Sequence, residues 1–190
     1  MERNVLVNSA TSVDDDPPLR TGVRTVAQIS MMKSLAESDT AKVVHIRRAK
    51  RSDMPEMVKI DEEISGMEKR GYWKDIFVRG RGNSRSPRFL LVAEAENHIQ
   101  GFIFGEIRAW EFGEPPCGWV FAIQIRPKMR LQGIGTHLFA ALCDAFRHAG
   151  VTKVRTIMAR DNHLVLSFFR SQGLMAGPFI ELEMTFDENV

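Results

Sequence analysis

Apolar residues recur with two periods along the chain, and the switches between them outline its elements. From residue 43 onward the order is regular. "VVHIRRA" (43–49) reads as a strand. "SDMPEMVKIDEEI" (52–64) puts Met54, Met57, Val58 and Ile64 on one helical face, with Ser52 as cap and Pro55 in the tolerant first turn. "MEKRGYWKDIFVR" (67–79) gives a second helical stretch with a break expected near Gly71, and "GRGNSRSPR" (80–88) is a loop by composition. "FLLVAEAE" (89–96) and "IQGFIFGEIRAW" (99–110) read as a hairpin about Asn97-His98. "WVFAIQI" (119–125) is the next strand. A helix follows with Ile134, Leu138, Leu142 and Phe146 on one face, stopping near Gly150. "VTKVRTIMA" (151–159) is a strand, and "DNHLVLSFFRSQG" (161–173) a short helix capped by Asp161 or Asn162. In "FIELEMTF" (179–186), Ile180, Leu182, Met184 and Phe186 alternate with Glu181, Glu183 and Thr185, which predicts a half-buried final strand.

The order β-α-α-β-β-β-α-β-α-β implies an α/β fold: a single mixed, mostly antiparallel sheet flanked by helices. Residues 1–42 carry no sustained period and include Asp14–Asp16 and Pro17-Pro18. They read as a disordered tail before a domain at 43–190, or as a docking tail. A composition of 44% hydrophobic and 26% charged residues suits one globular domain.

Charge narrows the function. A formal net charge of +2 gives no reason to expect a nucleic-acid partner. The basic runs at 45–51 and 78–88 read as solvated surface, with attraction of an anionic ligand as the alternative. No apolar run approaches the ~20 residues of a membrane helix, and the N-terminus has no signal-peptide pattern, so neither a membrane nor a secretory route is expected. Cys117 and Cys143 match no metal spacing or disulfide framework; reduced thiols in the cytoplasm, and no metal, are the expectation.

The candidate chemistry starts at "IQIRPKMRLQGIGTHLF" (123–139). A strand stops at Pro127, Gly133 and Gly135 follow, and a helix begins. The first amides of a helix lack intrahelical partners and lie at the positive end of its dipole. They make an anion site that glycine lets a phosphate approach. Arg130 adds a fixed charge and Thr136 a hydroxyl. On spacing alone, a plain turn and an anion site fit equally. A nucleotide P-loop needs a lysine that "GIGTH" lacks, and a dinucleotide fingerprint needs a third glycine where Leu138 stands.

The arrangement resembles the GNAT superfamily of acyl-CoA-dependent N-acetyltransferases, over residues 43–186. The Arg/Gln-x-x-Gly-x-Gly/Ala signature is met by Arg130, Gly133 and Gly135, after a strand ending Ile125-Arg126-Pro127. A second signature is met at the family's spacing by Asn162, Val165, Phe169, Gly173 and Leu174. The resemblance implies transfer of an acetyl group from acetyl-CoA, as co-substrate, to a primary amine of a small molecule or peptide by direct attack. Backbone groups of Ile123 and Ile125 are implied to pair with pantetheine. Amides of Leu131, Gln132, Gly133, Ile134, Gly135 and Thr136 are implied to hold the pyrophosphate. Asn162 is implied to bond the pantetheine arm and Phe169 to pack near the thioester. Homodimers are common in this superfamily, and the sequence leaves that open.

The sequence departs from the family at the proton-transfer positions. Phe169 stands where many members have an acidic tyrosine, and Ile157 and Trp119 stand where a base is usual. Glu106 is the favoured alternative base, on the strand bordering the expected reaction centre. Glu62, Glu63, Glu68, Glu111, Glu114 and His163 are the others; an ion pair or a capping role is the plainer account of each. A water chain, or a thiolate leaving unaided, also fits. A non-catalytic acyl-CoA-binding regulatory module is the alternative function. Trp110, Phe112, Trp119 and Phe121 gather near the same centre, as packing or as an apolar acceptor wall.

Overall fold

The computed structural model describes residues 44–79, 86–110 and 113–186. The expectations for 1–42, Val43, most of the 80–88 loop, Glu111 and Phe112 lie outside the described residues. Five strands form one sheet in sequence order: β1 (His45–Arg48), β2 (Arg88–Ala95), β3 (His98–Arg108), β4 (Cys117–Ile125) and β5 (Val154–Thr156). The first three pairings are antiparallel and β4–β5 is parallel, as the element order implied. The β2–β3 hairpin turns on Glu96-Asn97, one residue earlier than expected. Both have positive φ, 52° and 61°, the backbone sense that two-residue hairpins demand.

Helices cover both faces. The helices α1 (Met54–Ser65) and α2 (Arg70–Arg79) pack Met57, Val58, Ile60 and Trp73 against Val92, Phe102 and Phe104. On the other face α3 (Ile134–His148) sets Ile134, Leu138, Leu142 and Phe146 against Phe89, Leu91, Ile103, Ile107 and Val120. The fourth helix, α4 (His163–Ser171), joins this side through Phe169. Alternate residues of β3 thus enter two different cores, which explains why "FIF" at 102–104 is apolar throughout.

Three local expectations change. Ser52 does not cap α1; it sits in a 3-10 turn, Arg51–Asp53, that leads into the helix. The carboxylate of Asp53 makes the local bonds instead, accepting from the Lys50 amide at 2.6 Å and from Arg47 at 2.7 and 3.0 Å. Helix α2 runs through Gly71 without a break. Glycine costs a helix only about 1 kcal/mol, and the buried Trp73 beside it anchors this one. The final strand is not formed: 178–186 is irregular and pairs with no described strand. Alternation specifies a strand with two faces, but a strand also needs a hydrogen-bonding neighbour. No helix among the described residues is long and apolar enough to cross a membrane.

The tightest packing is that of Phe146 on the sheet. A Cβ at Gly118 would stand 2.4 Å from its ring, and one at Gly105 2.8 Å from it. Both glycines exist to admit this ring. Gly118→Ala is therefore expected to lower unfolding free energy by about 2 kcal/mol through overpacking, measured as a shift in urea midpoint at unchanged slope.

Candidate active site

The site is built around a fork between β4 and β5. Only Gly118, Trp119 and Val120 pair with β5. Opposite, β3 skips one residue of β4: Phe104 pairs with Ala122 and Gly105 with Val120. Phe121 is the extra residue of a β-bulge. The bulge has two effects. Val120 and Ile123, three apart, share the α3 side, where both contribute to one core. Beyond the bulge β4 also parts from β5, so the edge of Phe121–Ile125 facing away from β3 has no strand beside it among the described residues.

At the end of this edge the chain is clamped. The amide of Arg126 donates to Gln100 O at 2.9 Å, and its Nε to Ile99 O at 2.9 Å. Its guanidinium also reaches Glu56 at 3.4 Å, which itself accepts from the Ile99 amide at 2.9 Å. Pro127–Met129 then make a 3-10 turn. Leu131 and Gly133 follow with φ of 63° and 77°, a conformation that is free for glycine and strained for leucine. Leu131 is 99% exposed, so no packing accounts for its strain. Gly133 is the residue before α3 and offers no side-chain cap, which leaves the first-turn amides open to a ligand. The Arg130 side chain is exposed and has no ion pair among the described residues. Gln132 bonds Lys128 O at 3.3 Å.

The second glycine has a different reason. A Cβ at Gly135 would meet Phe168 at 3.1 Å and Ile123 at 3.8 Å. Gly135 lets α4 approach α3 where β4 opens. From α4, Gln172 donates to the Thr136 hydroxyl at 3.4 Å. Asn162 caps α4, its Oδ1 accepting from the Val165 amide at 3.2 Å. Phe169 is 4% exposed and lies in the core against Phe139; it is Phe168 that borders Gly135. Ile123 and Ile125 lie on the open part of β4, Leu131 to Thr136 span the glycine turn and the start of α3, and Asn162 caps α4.

The other face of the bulge is polar and aromatic. Glu106 is buried, and its two oxygens accept from Arg88 Nε at 3.1 Å and Arg108 Nε at 2.7 Å. Arg108 lies 4.9 Å over the Phe121 ring, and Trp119 stacks on Phe121 at 6.3 Å. Tyr72 comes from α2, partly exposed. Burial, then the negative charges of Glu106 and Asp61, push its phenol above the ordinary value near 10. Asp61 is buried and holds α2 in place, accepting from Trp73 Nε1 at 2.8 Å and pairing with Lys69 at 3.0 Å. Tyr72 was not among the residues singled out by spacing. It is the chain's one tyrosine, and the fold places it where the charge of Glu106 acts on it.

The remaining acids are occupied or remote. Glu114 pairs with Arg155 and Lys153, and Glu68 with Arg70 at 3.1 Å. Glu63 is 3.7 Å from Arg126. Glu62, His163 and Ile157 are exposed, as is Trp110. Cys117 and Cys143 are both buried.

A sheet split at a bulge, with an uncapped helix start beside the split, defines the acyl-CoA N-acyltransferase fold. The chain belongs to the acetyltransferase (GNAT) family, whose sequence model matches residues 47–174. It is 28% identical over 104 residues to L-2,4-diaminobutyric acid acetyltransferase of Nocardia farcinica, covering 55% of this chain and 52% of the relative. The chain thus spans about half the length of that curated relative. Among solved structures, an aminoglycoside N-acetyltransferase in complex with CoA matches with a TM-score of 0.67 at 13% identity. It covers 76% of this chain and 95% of its own. Glucosamine-6-phosphate N-acetyltransferase from Arabidopsis thaliana matches at 0.60 and 18% identity, covering 77% and 100%. At these identities the structural likeness establishes the fold.

The single tyrosine makes the electrostatics of the bulge measurable. Tyrosinate absorbance of the folded protein is expected to rise at higher pH than that of the unfolded chain, and in Glu106→Gln at lower pH than in the wild type. The sign also carries to stability. A phenol that holds its proton more tightly when folded contributes fully below pH ~10, and that contribution is lost as pH rises through the folded value. Equal titration in wild type and Glu106→Gln would remove the link between Tyr72 and Glu106.

Proposed function

We propose that the protein is an N-acetyltransferase that moves an acetyl group from acetyl-CoA to a primary amine by direct attack. The observation that carries this reading is the open β4 edge running into an uncapped α3 N-terminus. Backbone groups of Ile123 and Ile125 pair with the pantetheine amides as an added strand does. The amides from Leu131 to Thr136 hold the pyrophosphate, with Arg130 supplying charge. The Asn162 NH2 bonds the pantetheine arm. Phe168 walls the thioester end, with Phe169 packed behind it. We assign the reaction to residues 43–190, in the cytoplasm, where reduced thiols are at home.

In this reading the neutral amine nitrogen attacks the thioester carbonyl, the C–S bond breaks, and the nitrogen loses a proton while the CoA sulfur gains one. Glu106 is the base. It can take a proton only when one of its two guanidinium partners gives way, and Arg108 is the more exposed of them. Tyr72, kept protonated, is the donor to sulfur, in place of the tyrosine that Phe169 replaces. The cluster Arg88–Glu106–Arg108 sets one carboxylate between two cations. That suits an acceptor carrying an anionic group beside its amine, as diaminobutyric acid does.

Titration calorimetry with acetyl-CoA is the first test. Folded wild type is expected to bind, and Arg130→Glu to bind at least ~10-fold more weakly through charge reversal beside the pyrophosphate. No binding by the wild type would overturn the reading. Thiol release with an acceptor panel tests the chemistry. Glu106→Gln is expected to lose about 10²-fold or more in kcat with acetyl-CoA affinity unchanged. A diamino acid is expected to outperform the matching diamine. Unchanged kcat in Glu106→Gln would move the base elsewhere.

A further inference from the structure

The joint between α1 and α2 holds an ammonium group that its geometry does not need. Asp61 of α1 is 1% exposed. Its Oδ2 accepts from Trp73 Nε1 of α2 at 2.8 Å, and the Trp73 amide donates to Lys69 O at 3.1 Å. Those two bonds already tie α1, the linker and α2 together. The other oxygen, Oδ1, meets Lys69 Nζ at 3.0 Å and, at 3.5 Å, Gln124 Nε2 of β4. The Lys69 side chain is 36% exposed, so a buried carboxylate oxygen is met by a cation reaching in from solvent on a flexible stem.

Gln124 fixes where this happens. It stands between Ile123 and Ile125 on the open part of β4, and those two residues pack on the α3 side. The Gln124 side chain reaches the opposite face, where α1 lies. The stretch of strand assigned above to the donor therefore has an ammonium held against its other face. Glu106 serves the same region: after burial, the charges of Glu106 and Asp61 push the Tyr72 phenol up. A buried carboxylate has to keep a cation, because an unpaired charge away from water is costly. It does not have to keep this one. Lysine gives up rotamer freedom to hold the pair, and an outside ammonium can take its place while the Trp73 bond stays. Only the Lys69 side chain has to swing, since its carbonyl remains bonded to the Trp73 amide.

We propose that Asp61, with Gln124, binds a second ammonium group of the acceptor, and that Lys69 is the placeholder which that group displaces. The acceptor class is then a compound with two primary amines, one acetylated beside Glu106 and one held at Asp61. The assignment rests on the acetyltransfer reading, and binding measured without the donor separates the two.

Titration calorimetry with 1,3-diaminopropane, no acetyl-CoA present, reads the site directly. Lys69→Met is expected to bind the diamine at least ~10-fold more tightly than the wild type, because the competing internal ammonium is gone. Adding Asp61→Asn to Lys69→Met is expected to abolish that gain. Lys69→Gln, which keeps a neutral donor for Asp61, is expected to behave as Lys69→Met does. Thiol release with acetyl-CoA then compares the diamine with propylamine. In Lys69→Met the ratio of their kcat/KM values is expected to rise ~10-fold in favour of the diamine, whereas a loosened joint would move both alike. Unchanged or weaker diamine binding by both folded Lys69 variants overturns the proposal, and so does an equal kinetic gain for the two amines. Tighter diamine binding with no turnover of any amine supports the ammonium site and overturns the acetyltransfer reading instead.

Discussion

The ring of Phe146 resting on Gly105 and Gly118 sets how closely α3 lies on the sheet. The two glycines lie on adjacent strands, β3 and β4, and neither leaves room for a side chain beneath the ring. Helix α3 is therefore pressed to the sheet near its C-terminal end, while Ile134 and Leu138 bury the other end. A rigid helix fixed at both ends places its first-turn amides at one defined height beside β4. The same β4 carries the bulge at Phe121, one turn of pleat from Gly118. Packing and fork thus share one short stretch of chain.

Charge completes what packing begins. Arg126 stands where β4 ends and ties that end to β3 and to α1 through Ile99, Gln100 and Glu56. The glycine turn therefore hangs from a fixed point, and its strained Leu131 cannot relax by letting the strand end drift. On the opposite face, the Glu106 carboxylate between Arg88 and Arg108 keeps three charges beside the bulge with most of their charge balanced. The sheet itself keeps the two groups apart: the open β4 edge and the start of α3 lie on one side, and the charged side chains around Glu106 on the α2 face.

Much of this was legible in sequence, for physical reasons that differ by residue. Period gave the helices and strands because burial on one or two faces writes itself into residue type. The glycine turn was legible because Gly133 answers a backbone need that few residues meet. Gly135 looked like part of the same turn, yet its cause is a ring from another helix, and no local pattern records that. The bulge was hidden because a single extra residue leaves Val120, Ile123 and Ile125 all apolar, as an unbroken buried strand also would be. "FIELEMTF" misled in the opposite way: alternation reports which faces differ, not whether a neighbour exists to pair with. Tyr72 stands out in sequence only as the one tyrosine; that the charge of Glu106, on a distant strand, acts on it is visible in the fold alone.

The two buried cysteines have a practical consequence. The chain has no others, and both Cys117 and Cys143 are buried while the fold is intact, 3% and 8% exposed. Burial also pushes the Cys143 thiol up, away from its reactive form. A colorimetric thiol reagent added to the native protein therefore meets a silent background. A slow rise toward two sulfhydryls per chain reports that the protein itself has come apart.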